Sequence, residues 1–143
     1  MRWLIKDHQI TQHHGMSATP EYVPLAEFMA CQAGTPAPLA RHGVVLQPED
    51  DPETLVPYLS QLKVVAIHFP VFTDGRGYSI ARLLRRWHYQ GEIRATGDVL
   101  QDQLYFMQRS GFNAFELRED QDADACLRSL NAYRWQTEAS SSA

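Results

Sequence analysis

The sequence predicts a single α/β domain, with about four parallel strands alternating with helices behind an irregular N-terminal segment. Three observations predict it. From residue 43 onward, short apolar or alternating runs are separated by helical patterns, with connections of a few residues. One run, residues 64–69 (VVAIHF), is nearly all apolar, as expected of a buried parallel strand. A chain of 143 residues, 44% hydrophobic and 21% charged, is long and apolar enough for one core and excludes wholesale disorder.

Residues 1–42 form the irregular segment, expected to pack on the domain. Residues 2–9 read as a short strand, and Pro24 opens a short helix carrying Leu25, Phe28 and Met29. Residues 33–42 (AGTPAPLARH) are a Pro- and Gly-rich connection. Residues 43–136 form the α/β domain. The run 43–47 (GVVLQ) is a strand. Asp51 then offers an N-cap and Pro52 a first helical residue, and Leu55, Tyr58, Leu59 and Leu62 follow at helical spacing. Pro70 closes the strand VVAIHF, and a loop rich in Gly and Asp follows.

Ser79 is placed to cap the next helix. Its Ile80, Leu83, Leu84 and Trp87 share one face, and Arg82, Arg85 and Arg86 share the other, with Gly91 as the stop. The run 92–96 (EIRAT) alternates, with Ile93 and Ala95 opposite Glu92, Arg94 and Thr96. Asp98 and Gln101 form a capping-box pattern for a helix running to about Ser110, where Gly111 suits a left-handed C′ position. Val99, Leu100, Leu104, Phe106 and Met107 define its apolar face. Residues 113–117 (NAFEL) are the fourth strand. A last helix starts near Gln121, with Cys126, Leu127, Leu130 and Tyr133 at core spacing, and residues 137–143 read as a disordered tail. Because the last two strands alternate, helices are expected over one face, as in a half-barrel, with the other face partly polar. A small doubly wound sheet is the alternative.

Composition narrows the function classes. A net charge of −4 and a pI near 5.8 argue against nucleic acid binding. No apolar run approaches the roughly 20 residues of a membrane span, and the N-terminus has no apolar signal core, so a cytoplasmic location is expected. Cys31 and Cys126 form neither a CxxC nor a metal-ligand spacing and are too few for an iron–sulfur cluster. His8, His13 and His14 lack the fixed spacing of a ligand pair. No metal site is expected, and no cofactor is encoded by a recognisable motif.

Candidate ligand-binding residues lie where parallel sheets bind ligands, at the carboxyl ends of the strands. Asp74, Gly75, Arg76 and Gly77 place an arginine between two glycines just before a helix that starts near Ser79. The arrangement suits a small oxyanion or an anionic cofactor. It equally suits a rigid turn in which Asp74 and Arg76 pair. Arg94, on the polar side of its strand, requires a carboxylate or a ligand, and Glu92 and Asp98 are the nearest carboxylates in sequence. Gln103 falls inside an apolar helix face, so its amide ties that helix to a strand end or reaches a ligand. Arg82, Arg85 and Arg86 are either a solvated stripe or a docking surface for an acidic partner. Cys126 reads as a small buried hydrophobe.

The strings FPVFTDGRGYSIARLLRR and GEIRATGDVLQDQLYFMQRSGFNAFEL, within residues 69–117, resemble a bacterial family of unknown function. That family carries the label of an oxidoreductase of sulfite reduction, drawn from gene context: its members tend to be encoded beside sulfite or nitrite reductase. The resemblance rests on Phe69, Pro70, Phe72, Asp74, Gly75, Arg76, Tyr78 and Ser79. It continues through Gly91, Glu92, Arg94, Gly97, Asp98, Asp102, Gln103, Gly111 and Phe112. Where family members often carry Cys before the Gly-Phe pair, this chain has Ser110, so no redox thiol is available there.

The resemblance implies a component of assimilatory sulfite reduction, either oxidoreductase-like or accessory. In one reading Arg76 and Arg94, with the helix start at Ser79, hold a sulfur oxyanion or an anionic cofactor, and Asp74, Asp98 and Gln103 orient them. In another the protein is a non-catalytic module that docks on sulfite or nitrite reductase, or on its electron donor, and stabilises it. A third is a small-molecule enzyme built on a half-barrel homodimer.

Overall fold

In the computed structural model, which describes residues 2–6, 9–13, 22–32 and 43–141, every strand joins one sheet. The N-terminal segment contributes the hairpin β1 (Arg2–Lys6) and β2 (Gln9–His13), then β3 (Val23–Pro24) and α1 (Leu25–Gln32). The sequence marks part of this, since β1 lies in the run 2–9 and α1 follows Pro24 with Phe28 buried. The connection 33–42, His8 and His14 lie outside the described residues. After β4 (Gly43–Leu46) come a 3-10 helix (Pro52–Gln61), β5 (Val64–Phe69) and α2 (Arg76–Arg86). Then follow β6 (Glu92–Gly97), a 3-10 turn (Gln101–Gln103), α3 (Leu104–Ser110), β7 (Ala114–Glu116) and α4 (Ala123–Ser141). The last helix thus takes in most of the stretch 137–143, read from the sequence as a tail.

The strand order is β2-β1-β7-β6-β5-β4-β3. Strands β3 to β7 are parallel and stand in chain order, while β1 and β2 extend the β7 edge antiparallel. Parallel crossovers are right-handed. Strands laid down in one direction therefore put every crossover on the same face, and the sheet is wound once, like a half-barrel. The packing agrees. α2 lies on β5, on the 3-10 helix and on α3; α3 lies on α4; and α4 lies on β1 and β2.

Register then sorts the side chains. Val44, Val65, Ile93, Ala95, Phe115 and Ile5 lie on the helix side and belong to the main core. Their neighbours in sequence point the other way, so Lys6, Ala66, Glu92, Arg94, Thr96, Ala114 and Glu116 line the opposite face.

Four local expectations are corrected. The stretch after Asp51 is wound as a 3-10 helix instead of an α-helix. Asp51 does cap it, accepting from Glu53 N, but Pro57 in its middle has no N–H for an α-type ladder. α2 starts at Arg76, so Ser79 is an exposed residue inside the helix and not its cap. α2 ends at Arg86, five residues before Gly91, in a turn where His88 takes the left-handed conformation (φ 68°). The capping box at Asp98 and Gln101 does not form. Asp98 turns to other partners, while Gln101 donates its backbone N–H to Gln121 Oε1 and its side-chain amide to Ser129 Oγ. Gly111 does end α3, with φ 124° and its N–H on Gln108 O.

Candidate functional site

Five of the six ligand-binding candidates fall into three groups, not one, and Ser79 stands apart. The first is Asp74 with Arg76 in the loop between β5 and α2. Asp74 Oδ1 accepts the Arg76 backbone N–H at 3.0 Å and its Nε–H at 3.1 Å, and Oδ2 accepts from Nη2 at 2.8 Å. One carboxylate thus closes the first turn of α2 and clamps the guanidinium. The hydrogen bond from Arg76 holds the Asp74 carboxyl below the usual carboxylate range, and Asp74 raises Arg76 in return. Ser79 follows on the exposed side of the helix and does not join them.

The second group is Asp98 with Gln103, which meet on the same loop. Asp98 Oδ2 accepts the Phe72 N–H at 2.8 Å, and Gln103 Nε2 donates to Phe72 O at 3.0 Å. Two side chains from the far side of β6 thus hold both backbone groups of one loop residue. Asp98 is braced in turn, with Arg118 Nη1 at 2.7 Å from Oδ1 and Arg118 Nε on Asp120. Gln103 thus ties the turn before α3 to the loop beyond β5, from a part-exposed position and not from a buried helix face.

Gly97 makes this approach possible. Its φ of 88° is the left-handed region, and a Cβ there would lie 2.4 Å from Phe69 O. The same backbone reversal brings the Asp98 N–H onto Phe69 O at 2.8 Å. What the clamp presents is apolar: Val71 is 51% exposed and Phe72 47%. Phe106 is 62% exposed and stands three residues beyond Gln103, on the same side of α3. The sequence placed Phe106 in the apolar core face. Val99 and Leu100 precede the helix, so Leu104 and Met107 set the buried face of α3, and Phe106 lies on the other side of it.

Asp98→Ala tests the clamp. The loss of the Phe72 and Arg118 contacts is expected to cost about 1–3 kcal/mol and to raise amide exchange first at Phe72, Thr73 and Asp74. Unchanged protection of those amides would show that the loop holds its shape without Asp98.

Arg94 is the third group, and it lies on the other face of the sheet. Only 1% exposed, it donates from Nε to Glu92 Oε2 at 2.7 Å, and its Nη1 is 3.5 Å from Glu116 Oε2. Its guanidinium carbon is 5.9 Å from the centre of the Tyr22 ring, whose hydroxyl donates to Glu116 Oε2 at 2.8 Å. Lys6 Nζ sits 2.8 Å from Glu92 Oε1. Of the two carboxylates nearest in sequence, Glu92 is a partner and Asp98 is not. Glu116, brought in by the pairing of β6 with β7, takes the second place. The network ties β1, β6 and β7 to the residue entering β3, the strand at the far edge of the sheet.

The basic stripe divides. Arg82 and Arg86 are exposed, but Arg85 turns inward. Its Nε and Nη2 donate to Gly111 O at 3.0 and 2.8 Å, and its Nη1 donates to Tyr89 O at 2.7 Å and Gly91 O at 2.9 Å. Burial lowers its pKa from the ordinary guanidinium value. Arg85 therefore joins the ends of α2 and α3 instead of facing a partner. Its packing explains Gly111, where a Cβ would lie 2.7 Å from Arg85 Cγ.

Ser110 is buried and donates to Phe106 O one turn back. Cys126 is buried, and that burial pushes its thiol up to about 11. Among the described residues no three His, Cys, Asp or Glu side chains come together as metal ligands, and no helix is long and apolar enough to cross a membrane.

No curated protein matches the chain. A family model described as a bacterial protein of unknown function (DUF934) matches residues 43–142, from the first residue of β4 through the last helix. That is 100 of the 143 residues and includes the Phe72 clamp and the Glu92, Arg94 and Glu116 of the buried network, though not its Lys6 and Tyr22, so the chain belongs to this bacterial family of unknown function.

Proposed function

We propose that this protein is a non-catalytic accessory of assimilatory sulfite reduction that docks, through the loop carrying Val71 and Phe72, on sulfite or nitrite reductase or its electron donor. The observation that carries the docking role is the Phe72 clamp. Two side chains hold an apolar, half-exposed loop rigid at the strand ends, and exposed apolar groups on a rigid support are characteristic of interaction sites. The sulfur pathway rests on the family resemblance of the strings that contain the loop.

The oxyanion reading has less support. It asks Arg76 and Arg94 to act together, yet they lie on different faces of the sheet, and each already neutralises a carboxylate. Arg82 and Arg86, exposed further along α2, add a cationic surface that favours an acidic partner.

Phe72→Asp tests the reading. Binding to the reductase of the same organism is expected to weaken by roughly 30-fold or more, the effect of losing an aromatic anchor, with an unchanged melting temperature. Arg82→Ala with Arg86→Ala is expected to slow association and flatten its salt dependence. Wild-type binding by Phe72→Asp would remove the loop from the interface. A deletion strain that grows normally on sulfate, sulfite and cysteine as sole sulfur sources would remove the pathway.

A further inference from the structure

At the other end of the parallel strands, ahead of β5 and β6, lies a cavity of about 470 Å³. That volume falls within the range of small-molecule sites. One wall is Trp87, at the end of α2; the facing wall is Val56, Leu59 and Ser60 of the 3-10 helix; and His88 and Gln90 stand at the rim. Among the described residues no Asp, Glu, Lys or Arg lines it.

The cavity is built on a rigid floor. Tyr89 is buried beneath it with its hydroxyl donating to Leu62 O at 3.1 Å, and Arg85 fixes the carbonyls of Tyr89 and Gly91. His88 is the exception to economical design. It occupies the C′ position of a helix-ending turn in which His88 N–H bonds Arg85 O and Tyr89 N–H bonds Leu84 O, each at 3.0 Å. Its φ of 68° makes glycine the residue of least strain at that position. A strained non-glycine backbone beside a cavity is a recurrent mark of a working site.

We infer that this cavity binds a flat, uncharged heteroaromatic small molecule, stacked on Trp87 and held at its polar edge by His88, Gln90 and Ser60. The mixture of one aromatic wall, one aliphatic wall and several neutral hydrogen-bonding groups matches a planar ring that carries both donors and acceptors. The absence of charged lining residues disfavours an anion or an amine. The site is separate from the Phe72 loop, which lies at the opposite strand ends.

Adenosine is a suitable probe, with ribose as its ring-free control, read by two-dimensional amide NMR on the full chain. Adenosine is expected to shift the Trp87 indole N–H and the amides of His88 and Gly91, while ribose leaves them in place. Val56→Trp fills the mouth from a position that is 41% exposed, so it leaves the core intact, and it is expected to abolish the shifts. His88→Gly is expected to raise the melting temperature by about 1–4 °C and to weaken adenosine at least threefold. Absence of shifts at millimolar adenosine, equal shifts with ribose, or shifts that survive Val56→Trp would each overturn the assignment. A His88→Gly protein that is more stable and binds equally well would remove His88 from the site.

Discussion

Replacing Arg94 by methionine is expected to destabilise the protein by about 3–5 kcal/mol, the usual consequence of leaving buried charges without their partner. Glu92 and Glu116 are both buried, and both face the lost guanidinium. Lys6 remains on Glu92 and Tyr22 on Glu116, but neither takes the place of the fork between them. Adding Glu92→Gln and Glu116→Gln to Arg94→Met is expected to recover much of the loss, since removing a whole buried ion network is far milder than breaking it. Urea midpoints of the single and triple variants decide the matter. A loss below about 1 kcal/mol in the single variant would be the behaviour of a solvated surface pair. Because Arg94 lies on the face away from Phe72, whatever Arg94→Met protein remains folded is expected to bind its partner normally. Weakened binding by that folded fraction would return Arg94 to the functional site.

Arg85→Ala is expected to be nearly as damaging, at about 3–4 kcal/mol. Hydrogen bonds to a charged group contribute about 1.5–3 kcal/mol each, and those made by one side chain do not add in full. Arg85 makes four such bonds to three carbonyls, those of Tyr89, Gly91 and Gly111, and so joins the ends of α2 and α3. Arg85→Lys is expected to restore less than half, because an ammonium does not span three carbonyls as a planar guanidinium does. Thermal unfolding of the two variants, with Arg86→Ala as the exposed control within about 0.5 kcal/mol of wild type, tests the assignment. Equal losses at 85 and 86 would show that both belong to one solvated stripe.

Much of the fold was legible in the sequence because it depends on local patterns. VVAIHF announced a buried strand, EIRAT announced a two-sided one, and Gly111 announced the end of α3. Where local reading failed, a distant partner had overruled a local one. Asp98 has the spacing of a helix cap, but the N–H of Phe72, 26 residues back, lies closer to hand once β5 and β6 pair. Arg85 has the helical angle of a solvated arginine, but three carbonyls lie within its reach. Phe106 has the angle of a core residue only if the helix begins at Asp98, but the helix starts later, and there Leu104 and Met107 set a buried face that Phe106 does not share. The Tyr22–Glu116 contact spans 94 residues, and only the sheet order brings the two together.

By itself the sequence determined an α/β chain, the alternation that sends Ile93 and Ala95 one way and Glu92 and Arg94 the other, and the strings that mark the family. These follow from backbone periodicity and residue chemistry, which act over a few residues. The tertiary structure alone decided that the sheet is wound once, that Arg94 and Arg76 lie on different faces, and that Asp98 and Gln103 converge on Phe72. Those outcomes are set by which strands pair and in what register, and pairing is a choice among distant segments that no local pattern encodes.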